Sequence, residues 1–186
     1  MEQAHPVETD AYILYPIAPA EYRFTPAEFE SLWALRPETG QVVRMFGKEI
    51  PTPRRYNVYG ASYAFSGQQN TADPNVPELL RRFLKFGNSV LLNYYEDGED
   101  YIGYHSDNER QLVKNQRVYC FSYGAVRKFK FKHNETKAVL DLVLPNNSFL
   151  IMKEKTQNLY KHSLPVMKGV STRRVSVTIR QMIGTE

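Results

Sequence analysis

The spacing of apolar residues changes period near the middle of the chain. In the N-terminal part the period is helical. Thr25-Pro26-Ala27-Glu28 is a capping box with proline at the first helical position. Phe29, Leu32, Trp33 and Leu35 then recur on one side, and Pro37 ends the helix ahead of Gly40. A second helix is expected from Pro77, with Leu79, Leu80, Phe83, Leu84 and Phe86 on its apolar side and Gly87 at the position just past its end. Residues 1–20, with Pro6, Pro16 and Pro19, read as irregular.

From Val90 onward the period falls to two. Val90–Tyr95 runs into the turn Glu96-Asp97-Gly98, and Arg117–Tyr123 into a turn near Gly124. Val126–Lys132 puts Phe129 and Phe131 on one face and Lys128, Lys130 and Lys132 on the other. That lysine ridge reads either as a solvated outer face or as a surface that meets phosphate. Ala138–Leu144, Ser148–Met152 and Arg174–Met182 complete the set. Many short strands at regular spacing predict an antiparallel sandwich or jelly roll, so the fold class is mainly β with some helix. No repeat, low-complexity stretch or linker divides the chain, and 186 residues suit one domain.

Composition changes this picture little. Apolar and charged fractions of 42% and 24% are those of an ordinary globular protein. One cysteine, Cys120, excludes an intramolecular disulfide framework and a CxxC zinc site, and fits a reducing, intracellular compartment, nuclear or cytoplasmic. No apolar run nears the roughly 20 residues of a membrane span, and Glu2, His5 and Glu8 do not make a secretory signal, so no membrane partner is expected. The net charge of +4 suits an anionic partner.

The candidate chemistry starts in Tyr101–Arg110, Y-I-G-Y-H-S-D-N-E-R. His105 and Asp107 are two apart, so on a strand both side chains share a face and can hold two corners of a metal. A further histidine would complete the two-His-one-carboxylate set of non-haem Fe(II) sites. Two histidines follow Asp107: His133, in a His-Asn-Glu turn, and His162, 57 residues beyond His105 and able to return on a facing strand. At the C-terminal end Arg174, Ser176, Thr178 and Arg180 alternate with Val175, Val177 and Ile179. Two arginines on a face turned into a small barrel are costly unless they meet anions. Guanidinium forks bind carboxylates in bidentate geometry, and a dicarboxylate that chelates iron between arginines describes 2-oxoglutarate.

Six short motifs carry a wider likeness: R-M-F-G-K (44–48), Y-A-F-S-G (63–67), N-Y-Y-E-D-G (93–98), H-S-D-N-E (105–109), K-H-S-L-P (161–165) and R-V-S-V-T-I-R (174–180). In this order and separation they resemble the AlkB family of Fe(II)/2-oxoglutarate dioxygenases from about Val43 to Met182, nearest the nucleic-acid-repair branch that favours double-stranded DNA. The resemblance implies a double-stranded β-helix with the N-terminal helices on its outer face. It divides the single domain into an N-terminal extension and helix (1–40), a nucleotide-recognition lid (41–72) and a jelly-roll core (88–182). It implies iron ligands His105, Asp107 and His162, and 2-oxoglutarate held by Arg174 and Arg180 with Asn93, Tyr95 and Thr178. Phe46 would be an aromatic finger inserted into the duplex. Tyr63, Phe65 and Ser66 would belong to the lid, and Glu109 would lie at the pocket rim near the base. Asn108 stands where relatives often carry an acid, and Lys161 where an aromatic is common.

These residue types suit oxidative demethylation of N-alkylated bases such as 1-methyladenine and 3-methylcytosine. Oxidising the methyl C–H bond yields an N-hydroxymethyl group that collapses to formaldehyde and the restored base, with succinate and CO2 formed from the co-substrate and O2 consumed. The target lies on a pairing edge, so the base must be flipped out at a cost of a few kcal/mol. Aromatic faces such as Tyr63 and Phe65 repay about 1–3 kcal/mol by stacking, and an apolar wedge such as Phe46 can fill the vacated stack. The expected partner is alkylated DNA, with RNA as the alternative, and the expected state a monomer. A 2-oxoglutarate oxygenase acting on protein would keep the metal triad and Arg174 without needing the aromatics. A binding module without catalysis is disfavoured by the intact triad and arginines.

Overall fold

The period-two segments pair antiparallel into two sheets that share a core. The computed structural model describes residues 5–45, 47–65 and 68–183, with the backbone alone at 44, 45, 63–65 and 68–70. In chain order the strands are β1 (Val7–Glu8), β2 (Tyr12–Tyr15), β3 (Val42–Met45), β4 (Lys48–Pro51), β5 (Arg55–Gly60), β6 (Tyr63–Phe65), β7 (Gln68–Asn70), β8 (Ser89–Tyr95), β9 (Ile102–His105), β10 (Val118–Gly124), β11 (Arg127–His133), β12 (Val139–Leu144), β13 (Ser148–Met152), β14 (Tyr160–Leu164) and β15 (Arg174–Arg180). The helices are α1 (Pro26–Ala34), α2 (Glu78–Arg81) and α3 (Thr156–Leu159). One sheet has the order β1-β2-β13-β10-β15-β8-β5, and the other β12-β11-β14-β9. This is the expected jelly roll.

Between the sheets lies one apolar cluster. The large sheet gives it Tyr12, Leu14, Cys120, Leu150 and Met152, and the small sheet Phe129, Phe131, Leu142, Leu144 and Leu164. A second cluster covers the outer face of the large sheet, where Val175, Val177 and Ile179 meet Leu32, Trp33, Leu80 and Phe83 from the helical segments. Each such side chain, fully buried, contributes about 1.5–3 kcal/mol. Strand β15 is therefore buried on both faces, and its alternate residues point into the space between the sheets. The capping box of α1 forms as read: Thr25 Oγ1 accepts from the Glu28 N–H at 3.3 Å, and the Thr25 N–H donates to Glu28 Oε2 at 2.8 Å.

Three expectations need correction. The helix from Pro77 is one turn of α2 followed by a 3-10 turn, Leu84–Phe86. Gly87 is not a left-handed cap: its φ of 164° is extended. Glycine is needed there because a Cβ would lie 2.4 Å from the Arg180 carbonyl oxygen. Residues 12–15 are not irregular but form β2, which pairs with β13. The lysine ridge faces outward. Lys128 is exposed and Lys130 pairs with Asp141 at 3.1 Å, which favours the solvated-face reading. Within 41–72, β5 is the edge strand of the large sheet, paired with β8, while β3–β4 and β6–β7 form separate hairpins.

Candidate active site

The small sheet sets two imidazoles side by side. His105 ends β9, His162 sits in β14, and the two residues are direct cross-strand partners. Their ring centroids are 4.2 Å apart. The expected shared strand face does not form, because β9 ends at His105; Asp107, 1% exposed, lies beyond the strand and approaches both rings. His105 Nε2 lies 4.0 Å from Asp107 Oδ1 and His162 Nε2 3.7 Å from Oδ2. The ligand atoms of all three residues fall within 4.8 Å of one another. His105 Nδ1 lies 2.9 Å from the Gly103 carbonyl. That oxygen can only accept, so the proton sits on Nδ1 and Nε2 offers its lone pair to the site. Phe129 stacks on the His162 ring at 5.5 Å and 15°.

Electrostatics prepare the same donors. Burial, then the neighbouring His105, pushes the His162 pKa down to about 3. Burial also lowers that of His105, against the pull of Asp107. Burial alone would raise Asp107, but Arg180, His162 and His105 outweigh it and hold the carboxyl below the ordinary range. At neutral pH the cluster is two neutral imidazoles and one carboxylate, a donor set that suits a divalent transition metal. Asp107 Oδ2 and His162 Nδ1 are buried without a hydrogen-bond partner.

Beside this cluster a cavity with about 780 Å3 of empty space, part of it open to solvent, enters between the sheets. It is lined by His105, Asp107 and His162 and by Asn93, Tyr95, Arg174, Thr178 and Arg180. Arg174, 1% exposed, donates through Nη2 to Ser122 Oγ at 2.8 Å and lies 5.1 Å from the Tyr95 ring centroid. Its Nε and Nη1 are buried without partners. Arg180 bonds to Asp107 Oδ1 and approaches Glu109 Oε1 at 3.4 Å. A buried guanidinium with two idle donors, across from a metal-type triad, fits a carboxylate-bearing chelator such as 2-oxoglutarate.

The Glu109 side chain is 4% exposed and turned toward Arg180. Burial, and then the Asp107 charge against the opposing pull of Arg180, raises its pKa. Phe46 and Ser66 lie outside the described residues, and Tyr63 and Phe65 are described only as backbone of β6. His133 closes β11, its Nδ1 accepting the Glu135 and Thr136 N–H groups as a turn residue. Sequence reasoning missed three residues. Gln157 Oε1 accepts the Asp107 N–H at 2.8 Å, Ser122 holds Arg174, and Arg54 Nε donates to Asn93 Oδ1 at 2.7 Å. Ser122 was half legible, since it lies in the register position opposite Ser176 on the polar face of β15.

Comparison with known proteins agrees with this geometry. The family model described as the 2OG-Fe(II) oxygenase superfamily matches residues 52–180. The chain is 34% identical over 203 residues to DNA oxidative demethylase ALKBH2 of Bos taurus, covering 98% of this chain and 72% of that protein. It is 37% identical over 162 residues to ALKBH2 of Homo sapiens, covering 77% and 62%. With alpha-ketoglutarate-dependent dioxygenase alkB homolog 3 of Rattus norvegicus the match is 31% over 102 residues, covering 50% and 35%. A solved structure of OsALKBH1 superimposes with a TM-score of 0.66 at 14% identity, over 95% of this chain and 100% of that one, a likeness of fold.

Proposed function

The chain belongs to the AlkB family of the 2OG-Fe(II) oxygenase superfamily, and on that premise we propose that it is an oxidative demethylase of N-alkylated bases in DNA. The observation that carries the reading is the convergence of His105, Asp107 and His162 on a cavity that also holds Arg174 with idle donors. His105, Asp107 and His162 would hold Fe(II), and Arg174 a carboxylate of 2-oxoglutarate. Iron and co-substrate together supply the oxidation of the methyl C–H bond by O2, with 2-oxoglutarate leaving as succinate and CO2 and the hydroxymethyl group as formaldehyde.

The chain's own groups do the rest. Arg180 keeps Asp107 ionised and fixes one of its oxygens, so the carboxylate is oriented before any ion arrives. Phe129 and Phe131 pack around His162 and exclude water from its inner side. The hairpins β3–β4 and β6–β7 are the proposed nucleotide lid, with Phe46 as the finger and Tyr63, Phe65 and Ser66 about the flipped base. The neighbouring relatives named as DNA demethylases support DNA as the substrate. In this proposal the chain is one dioxygenase domain acting as a monomer inside the cell, nuclear or cytoplasmic. Among the described residues no helix is long and apolar enough to cross a membrane.

The test is a substrate panel. Purified protein with Fe(II) and 2-oxoglutarate is offered 1-methyladenine and 3-methylcytosine in single- and double-stranded DNA and in RNA at one salt concentration. Formaldehyde release and recovery of the unmodified base on DNA are expected. Turnover on RNA alone would move the substrate assignment, and no turnover on any member with iron demonstrably bound would defeat it.

A further inference from the structure

Asn93 sits in the middle of β8, 5% exposed, and its side chain lines the cavity beside Tyr95. An amide can face a cavity in two ways, offering either its oxygen or its two N–H groups. Toward a dianionic ligand these are opposite in effect. Arg54 removes the ambiguity. A guanidinium can only donate, so the atom 2.7 Å from Arg54 Nε is Oδ1. That leaves Nδ2, which has no acceptor among the described residues, as the group available to the cavity.

Arg54 stands just before β5 and lines the same cavity, its guanidinium 5.6 Å from the Tyr56 ring centroid. Among the described residues no carboxylate lies within ion-pair distance of it. Its committed bond to a neutral side chain 39 residues away in sequence is therefore not explained by charge pairing. We infer that Arg54 is a positioning residue for the co-substrate: it locks the Asn93 amide so that both N–H donors face the carboxylate-bearing ligand. The inference rests on the 2-oxoglutarate reading of the cavity.

The experiment measures binding rather than turnover. The protein is loaded with Mn(II), and 2-oxoglutarate binding is followed by calorimetry without catalysis. Four proteins are compared: the parent, Arg54→Met, Asn93→Ala and the double variant. Arg54→Met is expected to raise the 2-oxoglutarate Kd about tenfold, the scale of one charge-assisted hydrogen bond. In the Asn93→Ala background the same change should have little effect, because the two act as one unit. Mn(II) affinity and Tm should stay near parental values, as a general packing defect would not allow. A second readout is the Asn93 side-chain amide pair by NMR, sharp in the parent and broadened or doubled in Arg54→Met.

Additive losses would overturn the inference and make Arg54 an independent charge. An unchanged Kd in a folded Arg54→Met protein would overturn it too. If Arg54→Met does not fold, the amide pair in Arg54→Lys, which keeps the charge but moves the donor, decides: a parental signal there refutes the lock. Failure of the parent itself to bind 2-oxoglutarate would refute the co-substrate reading, and this inference with it.

Discussion

Replacing Arg174 with methionine separates folding from function at this site. The parent side chain is buried with one bond to Ser122, a cation–π contact to Tyr95 at 5.1 Å, and two idle N–H groups. The lost bond and the lost cation–π contact are each worth about 1 kcal/mol. Against them, each buried donor left unpartnered costs about 1–3 kcal/mol, and both disappear in the variant. The ligand-free protein should therefore be as stable as the parent or more so. Ligand stabilisation moves the other way. At a 2-oxoglutarate concentration of about 100 Kd, linkage stabilises the metal-loaded parent by about 2.7 kcal/mol. For a chain of this size that is a Tm rise of about 5–11 °C. Truncating one side of a buried charge pair costs about 2–5 kcal/mol, at least about 30-fold in Kd. The same ligand concentration should then raise the Tm by less than about 3 °C. Differential scanning calorimetry of both proteins, with and without 2-oxoglutarate, reads all four values. A ligand-free Tm that drops by about 8 °C while the ligand-induced rise survives would show that Arg174 is a structural residue, and the reasoning would fail.

Three further outcomes follow from the same geometry. Gln157→Leu removes the acceptor for the Asp107 N–H and should weaken metal binding about 10–100-fold with the fold retained; an unchanged Mn(II) titration would refute a supporting role. The stability of the metal-free protein should depend on pH through His162, whose pKa is about 3 when folded and near 6.5 when unfolded. The unfolded chain takes up the proton first, so stability is full above about 6.5 and declines by up to about 1.4 kcal/mol per pH unit as pH falls toward 3. Urea midpoints at pH 7.5 and 5.5 check the sign, and His162→Leu should flatten the slope. Gly87→Ala drives a Cβ against the Arg180 carbonyl and should destabilise by several kcal/mol, read as a fall in Tm; a neutral effect would mean that the end of β15 can shift freely.

Much of the site was legible where its residues sit on strands, because a two-residue period assigns faces without knowledge of partners. The polar row Arg174, Ser176, Thr178 and Arg180 declared itself that way, whereas the His105-x-Asp107 spacing named the pair but not its geometry, since β9 ends at His105. The residues that were missed act across distance with no local rhythm. Gln157 reaches Asp107 over 50 residues and Arg54 reaches Asn93 over 39, and each comes from a segment beside a strand. Strand β2 escaped notice for a different reason. Tyr12-Ile13-Leu14-Tyr15 is apolar throughout, so it shows no alternation, although the fold buries Tyr12 and Leu14 more deeply than Ile13 and Tyr15. The helix from Pro77 was overextended because its apolar spacing is real and continues through the 3-10 turn Leu84–Phe86, although the α-helix ends at Arg81. For Glu109, sequence gives its neighbours but not the pull of a buried guanidinium.

Among the described residues the two hairpins β3–β4 and β6–β7 each pair only with themselves, apart from the seven- and four-stranded sheets. The His105–Asp107–His162 centre, in contrast, is anchored in the four-stranded sheet, where β14 is paired on both sides, with β11 and with β9, the strand that His105 ends. On the proposed reading of these hairpins as the nucleotide lid, selection can redraw what is recognised while the reactive core stays as it is. Grafting hairpins from a relative with another appetite onto this barrel should transplant preference without rebuilding the catalyst.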